Sequence, residues 1–167
     1  MEFVLMIVIL LLDQGTKLWA ARSLRVKPLV LIPRVLELTY IENRGAVWGL
    51  MQGWRVTFLV ATFLFLAVLI WFYGKKKADM SVLTRIILAL LFSGAVGNLI
   101  DRLFLGYVRD MIYFSLINFP VFNVADSAIV IAACLLVVET FFVKNKATTF
   151  DLMEACFTKK KPEEKDE

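Results

Sequence analysis

An uninterrupted apolar run in the first half of the chain is the feature that most limits its fold. Residues 56–73 read VTFLVATFLFLAVLIWFY and contain no charged side chain. A helix that crosses a bilayer needs about 20 consecutive, mostly apolar residues, whereas a surface helix of a soluble protein keeps a polar face. The run therefore predicts a membrane-spanning helix, around which the rest of the chain has to be organised.

Three further segments have nearly the same character. Residues 81–100 contain one charged residue, Arg85, which lies near the start of the segment, where its side chain can reach the interface. Residues 122–143 have acids near both ends, and residues 1–21 are apolar in their first half. The N-terminal segment lacks the basic start of a signal peptide, so we predict that it is retained. We therefore predict an all-α membrane protein with four transmembrane helices.

Composition agrees with a membrane protein and excludes several kinds of chemistry. Of the 167 residues, 60% are hydrophobic and the mean hydropathy is +0.75, whereas soluble domains are about 45–50% apolar. The chain has no histidine, and its two cysteines, Cys134 and Cys156, predict neither a disulfide nor a metal site. A nucleophile activated by histidine is excluded. The net charge of +4 without a basic stripe predicts no nucleic-acid partner, and we expect no cofactor.

Basic residues in the loops predict the orientation, because lysine and arginine favour the cytoplasmic side. The loops GKKKAD (74–79) and KNK (144–146) are basic, which predicts that both are cytoplasmic together with both termini. The loop 22–54 then lies outside, although it also carries dispersed basic residues. Residues 1–146 form the predicted transmembrane domain, and 147–167 a polar, disordered cytoplasmic tail.

The outer loop 22–54 has a pattern of its own. Its stretch VLELTYIEN (35–43) is rich in β-formers and partly alternating, which predicts a strand of a small outer β-sheet. Trp48 and Trp54 follow, and tryptophan favours the headgroup level. We predict a short interfacial helix there; an ordinary connecting loop with aromatic anchors is the alternative.

Four aspartates lie in or beside apolar runs, where a carboxylate costs about 2.5–3.5 kcal/mol at the centre of a spanning helix. With the predicted topology all of them lie near the outer boundary. Each has a structural explanation of its own, such as a helix cap or an ion pair of residues four apart. Their convergence on one boundary favours a functional site. The four are Asp13, Asp101, Asp110 and Asp126.

Paired aspartates can hydrolyse a peptide without histidine. One carboxylate takes a proton from water while the other, protonated, polarises the scissile carbonyl. Three other readings stay open at this point. The same acids (Asp13, Asp101 and Asp126) can relay protons in a small transporter. Ser127 or Ser115 can act with Lys17 in a Ser-Lys protease, or the protein can be a scaffold without catalysis.

Five motifs in order resemble bacterial lipoprotein signal peptidase, also called signal peptidase II, an aspartyl protease family of the inner membrane. They read DQGTK, ENRGAVWG, GAVGNLIDR, VRDMI and FNVADS, between residues 13 and 127. The resemblance implies that Asp110 and Asp126 form the catalytic pair, with Asp101 as the rival for the first position. It also implies a set of substrate-binding or supporting residues, namely Asp13, Lys17, Asn43, Gly45, Asn98, Asp101, Arg102 and Asn123.

The resemblance further implies the substrate and the setting of the enzyme. The substrate is a diacylglyceryl-modified prolipoprotein cut before its lipidated cysteine, and the site lies near the periplasmic face. Membrane lipid is the other expected partner, and a monomer is expected. One departure concerns the first acid: the family commonly has valine before it, whereas this chain has Arg109, a cation placed to lower the pKa of Asp110.

Overall fold

The computed structural model describes residues 1–45, 53–143 and 147–158. Within these ranges, four helices are long and apolar enough to cross a membrane: α1 (Glu2–Ser23), α2 (Arg55–Lys76), α3 (Val82–Phe104) and α4 (Val124–Phe142). The remaining elements are β1 (Leu29–Ile32), β2 (Leu36–Asn43), β3 (Val108–Tyr113), a 3₁₀ turn (Ser115–Ile117) and α5 (Thr149–Phe157). The predicted class, a helical membrane protein with a small sheet, is confirmed.

Two sequence predictions fall largely outside the described residues. The interfacial helix was expected around Trp48, and only its neighbour Trp54 is described, as the N-terminal cap residue of α2. The basic KNK segment at 144–146 is likewise not described.

Helix α3 lies at the centre of the bundle. Its apolar stretch is 61% buried, compared with 17% for α2 and 22% for α1 and α4. Two glycines on α3 make this packing possible. A Cβ on Gly94 would lie 2.5 Å from the backbone oxygen of Ala125, and one on Gly97 would lie 2.6 Å from Asp13 Oδ2. The small residues therefore bring a polar part of α1 and the beginning of α4 directly onto α3.

The three strands form an antiparallel sheet in the order β1-β2-β3. Strand β2 comes from the connection between α1 and α2, and β3 from the connection between α3 and α4, so both connections lie at the same end of the bundle. In the register, Ile41 opposes Asp110 and Glu42 opposes Arg109. Because side chains alternate along a strand, Arg109 and Asp110 leave β3 on opposite sides.

The C-terminal tail differs from the predicted disorder, because α5 occupies Thr149–Phe157. Thr148 begins this helix with a capping box, and Leu152 packs against Phe72 of α2. Average composition gave the wrong prediction here, since a short apolar stripe is ordered when a neighbouring helix offers it a surface. The last stretch, 159–167, lies outside the described residues.

Candidate active site

A cavity of about 560 Å³ lies at the end of the bundle that carries the sheet. One part of its wall is apolar and comes mainly from α4 and the segment before it, including Phe122, Ile129 and Val130. The other part is polar and comes from β2, β3, α3 and α4. Its polar residues include Asn43, Asn98, Arg102, Asp110, Asp126 and Ser127, with Gly45 beside them.

Asp110 and Asp126 both face this cavity and are joined through one residue, Asn123. Asn123 Nδ2 donates to Asp110 Oδ1 at 2.7 Å, and the backbone N–H of Asn123 donates to Asp126 Oδ2 at 3.1 Å. Asn123 Oδ1 in turn accepts from the backbone N–H of Asp126 at 2.9 Å, which completes a capping box at the start of α4. The same two residues therefore begin the helix and hold the two carboxyl groups in one network.

The second oxygen of Asp110 is held by β2. Asn43 Nδ2 donates to Asp110 Oδ2 at 3.0 Å. The orientation of this amide is set by Gly45, whose backbone N–H donates to Asn43 Oδ1 at 3.0 Å. Asn43 and Gly45, both in the ENRG motif, thus act together: Gly45 orients the Asn43 amide, and the amide binds the Asp110 carboxyl group.

The second oxygen of Asp126 is held by α3. Asn98 Nδ2 donates to Asp126 Oδ1 at 2.7 Å. Asn98 Oδ1 accepts from Lys17 Nζ at 3.0 Å and from Asn123 Nδ2 at 3.1 Å. The Asn98 side-chain oxygen therefore accepts two hydrogen bonds. These fix the orientation of the amide, and its nitrogen is directed at Asp126.

Burial raises the pKa of Asp110 to about 7, and the nearby negative charge of Asp126 contributes to the same increase. The amides of Asn43 and Asn123 oppose this shift without cancelling it. The expectation that Arg109 lowers the pKa of Asp110 is wrong, because its guanidinium leaves the opposite side of β3. Near neutral pH this acid is therefore able to hold or release a proton.

Behind the cavity wall lies a buried group of four charges. Lys17 Nζ is 2.8 Å from Asp13 Oδ2, as the spacing of four residues predicts, and 3.8 Å from Asp101 Oδ2. Asp13 Oδ1 accepts from the backbone N–H of Ala125 at 2.9 Å. Asp101 is bound by Arg109, with 2.6 Å between Nη2 and Oδ1. Among the described residues, Asp13 and Asp101 do not contribute to the cavity wall.

Two contacts at this site were not predicted from the sequence. Gln14 Oε1 accepts from Arg109 Nη2 at 2.9 Å, and Gln14 Nε2 donates to the backbone oxygen of Gly97 at 3.1 Å. Asp101 was expected to support Arg102 or the following loop, and its partner is Arg109, in the strand β3 that follows α3. The position of Gln14 inside the DQGTK motif could have marked it as a site residue. Its partner Arg109 could not be predicted, because the two are 95 residues apart in the sequence.

The remaining polar candidates differ in their surroundings. Arg102 lies on the cavity wall with its guanidinium carbon 5.1 Å from the ring centre of Phe58, and its side chain has no hydrogen-bond partner within residues 1–45, 53–143 and 147–158. Ser127 Oγ donates to the backbone oxygen of Asn123 at 2.9 Å. Lys17, which a Ser-Lys protease would need as its base, is fully buried in the ion cluster.

These features define a multi-pass membrane protein whose paired aspartates face a cavity at one end of its helices. The sequence profile of the signal peptidase (SPase) II family matches residues 5–142, and the chain belongs to this family. It is similar to the lipoprotein signal peptidase of Halothermothrix orenii, at 39% identity over 139 residues, covering 82% of this chain and 92% of the relative. The lipoprotein signal peptidase of Clostridium acetobutylicum is 39% identical over 142 residues, covering 83% and 92%.

A solved structure agrees with this assignment. It is described as a bacterial membrane enzyme determined by the in meso method at 2.3 Å resolution. The TM-score is 0.77 at 31% identity, covering 87% of this chain and 92% of the other. The resemblance to signal peptidase II is confirmed, and the chain is a membrane peptidase.

Proposed function

We propose that this protein is an intramembrane aspartic endopeptidase that removes the signal peptide from diacylglyceryl-modified prolipoproteins, cutting before the lipidated cysteine. The observation that supports the aspartic class most directly is the placement of Asp110 and Asp126. Both face one cavity, and Asn123 binds both carboxyl groups. The relatives are lipoprotein signal peptidases, which supports the substrate class.

In the proposed reaction, one water molecule lies between the two carboxyl groups. Asp126 is the ionised partner at the N-terminus of α4, where the helix dipole favours negative charge, and it takes a proton from the water. Asp110 carries the shared proton and donates it towards the scissile carbonyl oxygen, for which a pKa of about 7 is suitable. Because the charge of Asp126 acts on Asp110, the two acids titrate as a pair, so the active form holds one proton in total.

The other polar residues hold the two acids and the substrate main chain. Asn98 and Asn123 bind the carboxyl groups, and we assign them to orienting the pair. Arg102 presents its guanidinium to the cavity, where it can donate to peptide carbonyl oxygens. Lys17 and Asp13 support Asn98 and the start of α4 from behind.

The apolar part of the cavity wall suits a lipid-bearing substrate. Phe58, Ile129 and Val130 lie beside the polar residues, so acyl chains and a peptide bond can be accommodated next to each other. We place the cavity at the periplasmic face of the inner membrane, because the lysines at 75–77 are at the end opposite the sheet. Both termini are then cytoplasmic. The reaction as written requires no cofactor, and the monomer remains a prediction.

The experiment is a cleavage assay on a lipidated propeptide with purified protein in detergent. We expect Asp110→Asn and Asp126→Asn each to lower kcat by about 10³-fold or more while the helical content is retained. Glu139→Gln is the matched control, since it removes the charge of a buried carboxyl group far from the cavity. Full cleavage by folded Asp110→Asn, together with loss of cleavage in Asp101→Asn, would contradict the proposed pair.

The transporter alternative predicts a different result. Proton flux into liposomes that depends on Asp126 and occurs without cleavage of the propeptide would favour it over the peptidase. The position of the cavity disfavours a transporter, because the acids lie together at one end of the bundle and are not distributed across the thickness of the membrane.

A further inference from the structure

We infer that Arg109 is a positioning residue for the reaction. Held by Asp101 and Gln14, it attaches strand β3 to the helices and thereby directs Asp110 towards Asp126. This inference rests on the proposed function, because it concerns how one acid of the proposed pair is kept in place.

The contacts of Arg109 tie one residue to two helices. Nη2 donates to Asp101 Oδ1 at 2.6 Å, and Nε donates to Asp101 Oδ2 at 3.0 Å. The backbone N–H of Arg109 also donates to Asp101 Oδ2, at 2.9 Å. Nη2 makes a further hydrogen bond to Gln14 Oε1 at 2.9 Å. The planar guanidinium thus forms a bidentate pair with one carboxylate of α3 and also binds a side chain of α1.

These contacts act on the neighbouring acid through the geometry of the strand. Arg109 and Asp110 are consecutive in β3, and consecutive side chains point to opposite sides. When Arg109 is held by Asp101 and Gln14 on one side of β3, Asp110 is directed to the other side of the strand, where it faces the cavity. The hydrogen bonds of the Asp110 carboxyl group itself go to Asn43 and Asn123. The attachment of β3 to the centre of the bundle through Arg109 is therefore separate from the contacts that the acid makes.

Arg109 also determines how the buried charges are shared. With Arg109 bound to Asp101, the two cations and two anions of the cluster balance, and Lys17 lies closer to Asp13, at 2.8 Å, than to Asp101, at 3.8 Å. Lys17 then donates to Asn98, the residue that binds the second acid of the pair. Loss of Arg109 would leave Asp101 to compete for Lys17 and so affect both acids.

The test is steady-state cleavage of a lipidated propeptide by Arg109→Gln. We expect kcat to fall by about 10- to 100-fold with KM within about twofold of the original, because the chemistry is misaligned and substrate binding is not. Arg109→Lys, which keeps the positive charge but lacks the planar guanidinium, should recover part of kcat. Arg85→Gln is the matched control: Arg85 bonds to the backbone oxygen of Lys77 at the opposite end of α3, and kcat should be unchanged.

Unchanged kcat in folded Arg109→Gln would overturn the inference, and so would a lower melting temperature with a kcat per folded molecule equal to the original. If Arg109→Gln does not fold, Gln14→Met decides, since it removes the acceptor of Arg109 Nη2, together with the Nε2 hydrogen bonds to Asp13 and Gly97, and leaves the pair with Asp101 intact. A severalfold loss of kcat is expected there, and none would overturn the inference. Failure of the proposed function is distinguishable, because the unaltered protein would then not cleave or Asp110→Asn would remain active.

Discussion

Two buried carboxyl sites at opposite ends of the bundle differ in what surrounds them. Glu139, at the C-terminal part of α4, is 1% exposed and accepts from Thr84 Oγ1 at 2.7 Å, Thr149 Oγ1 at 2.6 Å and Thr149 N at 2.9 Å. Asp110 and Asp126 also accept short hydrogen bonds, but they form part of a cavity wall. Glu139 and Asp110 are both buried, and hydrogen bonds hold the carboxyl groups at both sites. A second acid and access to space for a substrate are what make the aspartates candidates for catalysis.

The donors at the two sites have different consequences. At Glu139 the donors come from α3 and from the first turn of α5, so the carboxyl group joins three helices. At the aspartates the donors are amides that aim the acids at one region, with a charged cluster behind them. We therefore expect changes at Glu139 to affect stability and changes near the aspartates to affect catalysis. The following predictions test that contrast, in decreasing order of effect.

The largest effect is expected from Lys17→Met. Lys17 lies between Asp13 and Asp101, and its removal leaves buried carboxylates with one cation in place of two. Breaking a buried ion pair in this way costs about 3–5 kcal/mol, and cleavage should fall as well because Asn98 loses a donor. Thermal unfolding in detergent measures the change, with exposed Lys75→Met as the control. Equal melting temperatures for the two variants would contradict the assigned role of the cluster.

Glu139→Ala should lower stability with little effect on cleavage. Thr84 and Thr149 lose their acceptor, and an unpaired buried polar group costs about 1–3 kcal/mol. Glu139→Gln, which keeps one acceptor oxygen, should lose less. The measurements are thermal unfolding and kcat for the lipidated propeptide. A large loss of kcat in folded Glu139→Gln would remove the contrast between the two ends of the molecule.

Activity and stability should both decrease at high pH because the pKa of Asp110 is raised from 3.8 to about 7. A raised pKa means that protonation favours the folded state: this stabilisation is complete below about pH 4 and is lost as the pH rises through 7. Cleavage should decline over the same upper range, since the pair loses its shared proton.

Asn43→Ala sharpens this prediction. The Asn43 amide lowers the pKa of Asp110 by donating to its carboxylate form, so its removal should move the alkaline decline of kcat/KM to higher pH. The measurement is a pH profile of cleavage for both proteins. A decline that stays in place or moves to lower pH would contradict Asp110 as the group that titrates.

The smallest effect is expected from Ser127→Ala. Ser127 is on the cavity wall, but its hydroxyl donates to the backbone oxygen of Asn123, the cap residue of α4. We expect kcat to stay within about twofold of the original, because substitutions away from the reacting groups have small effects. The assay is the same cleavage reaction at saturating substrate. Complete loss of cleavage in this variant would revive the serine protease alternative.

Several features were accessible from local patterns. The spans followed from hydropathy, and the pairing of Asp13 with Lys17 followed from their spacing on one helix face. The capping box of Asn123 and Asp126 was also visible as a pattern of neighbouring residues. Helix α5 was missed, because its order depends on the surface of α2. The partner of Arg109 was missed for a similar reason, since it lies in another element.

The sequence by itself determined the membrane-spanning segments, the exclusion of histidine chemistry and the set of aspartates near one boundary, because hydropathy, composition and spacing along one helix are local properties. Only the tertiary structure decided how those aspartates divide between the cavity wall and the buried ion cluster. Asp101 and Asp110 are nine positions apart in one stretch of chain, and what separates them is the alternation of β3 together with the docking of Arg109 on α3. Such a division depends on which distant groups meet, and no local pattern contains that information.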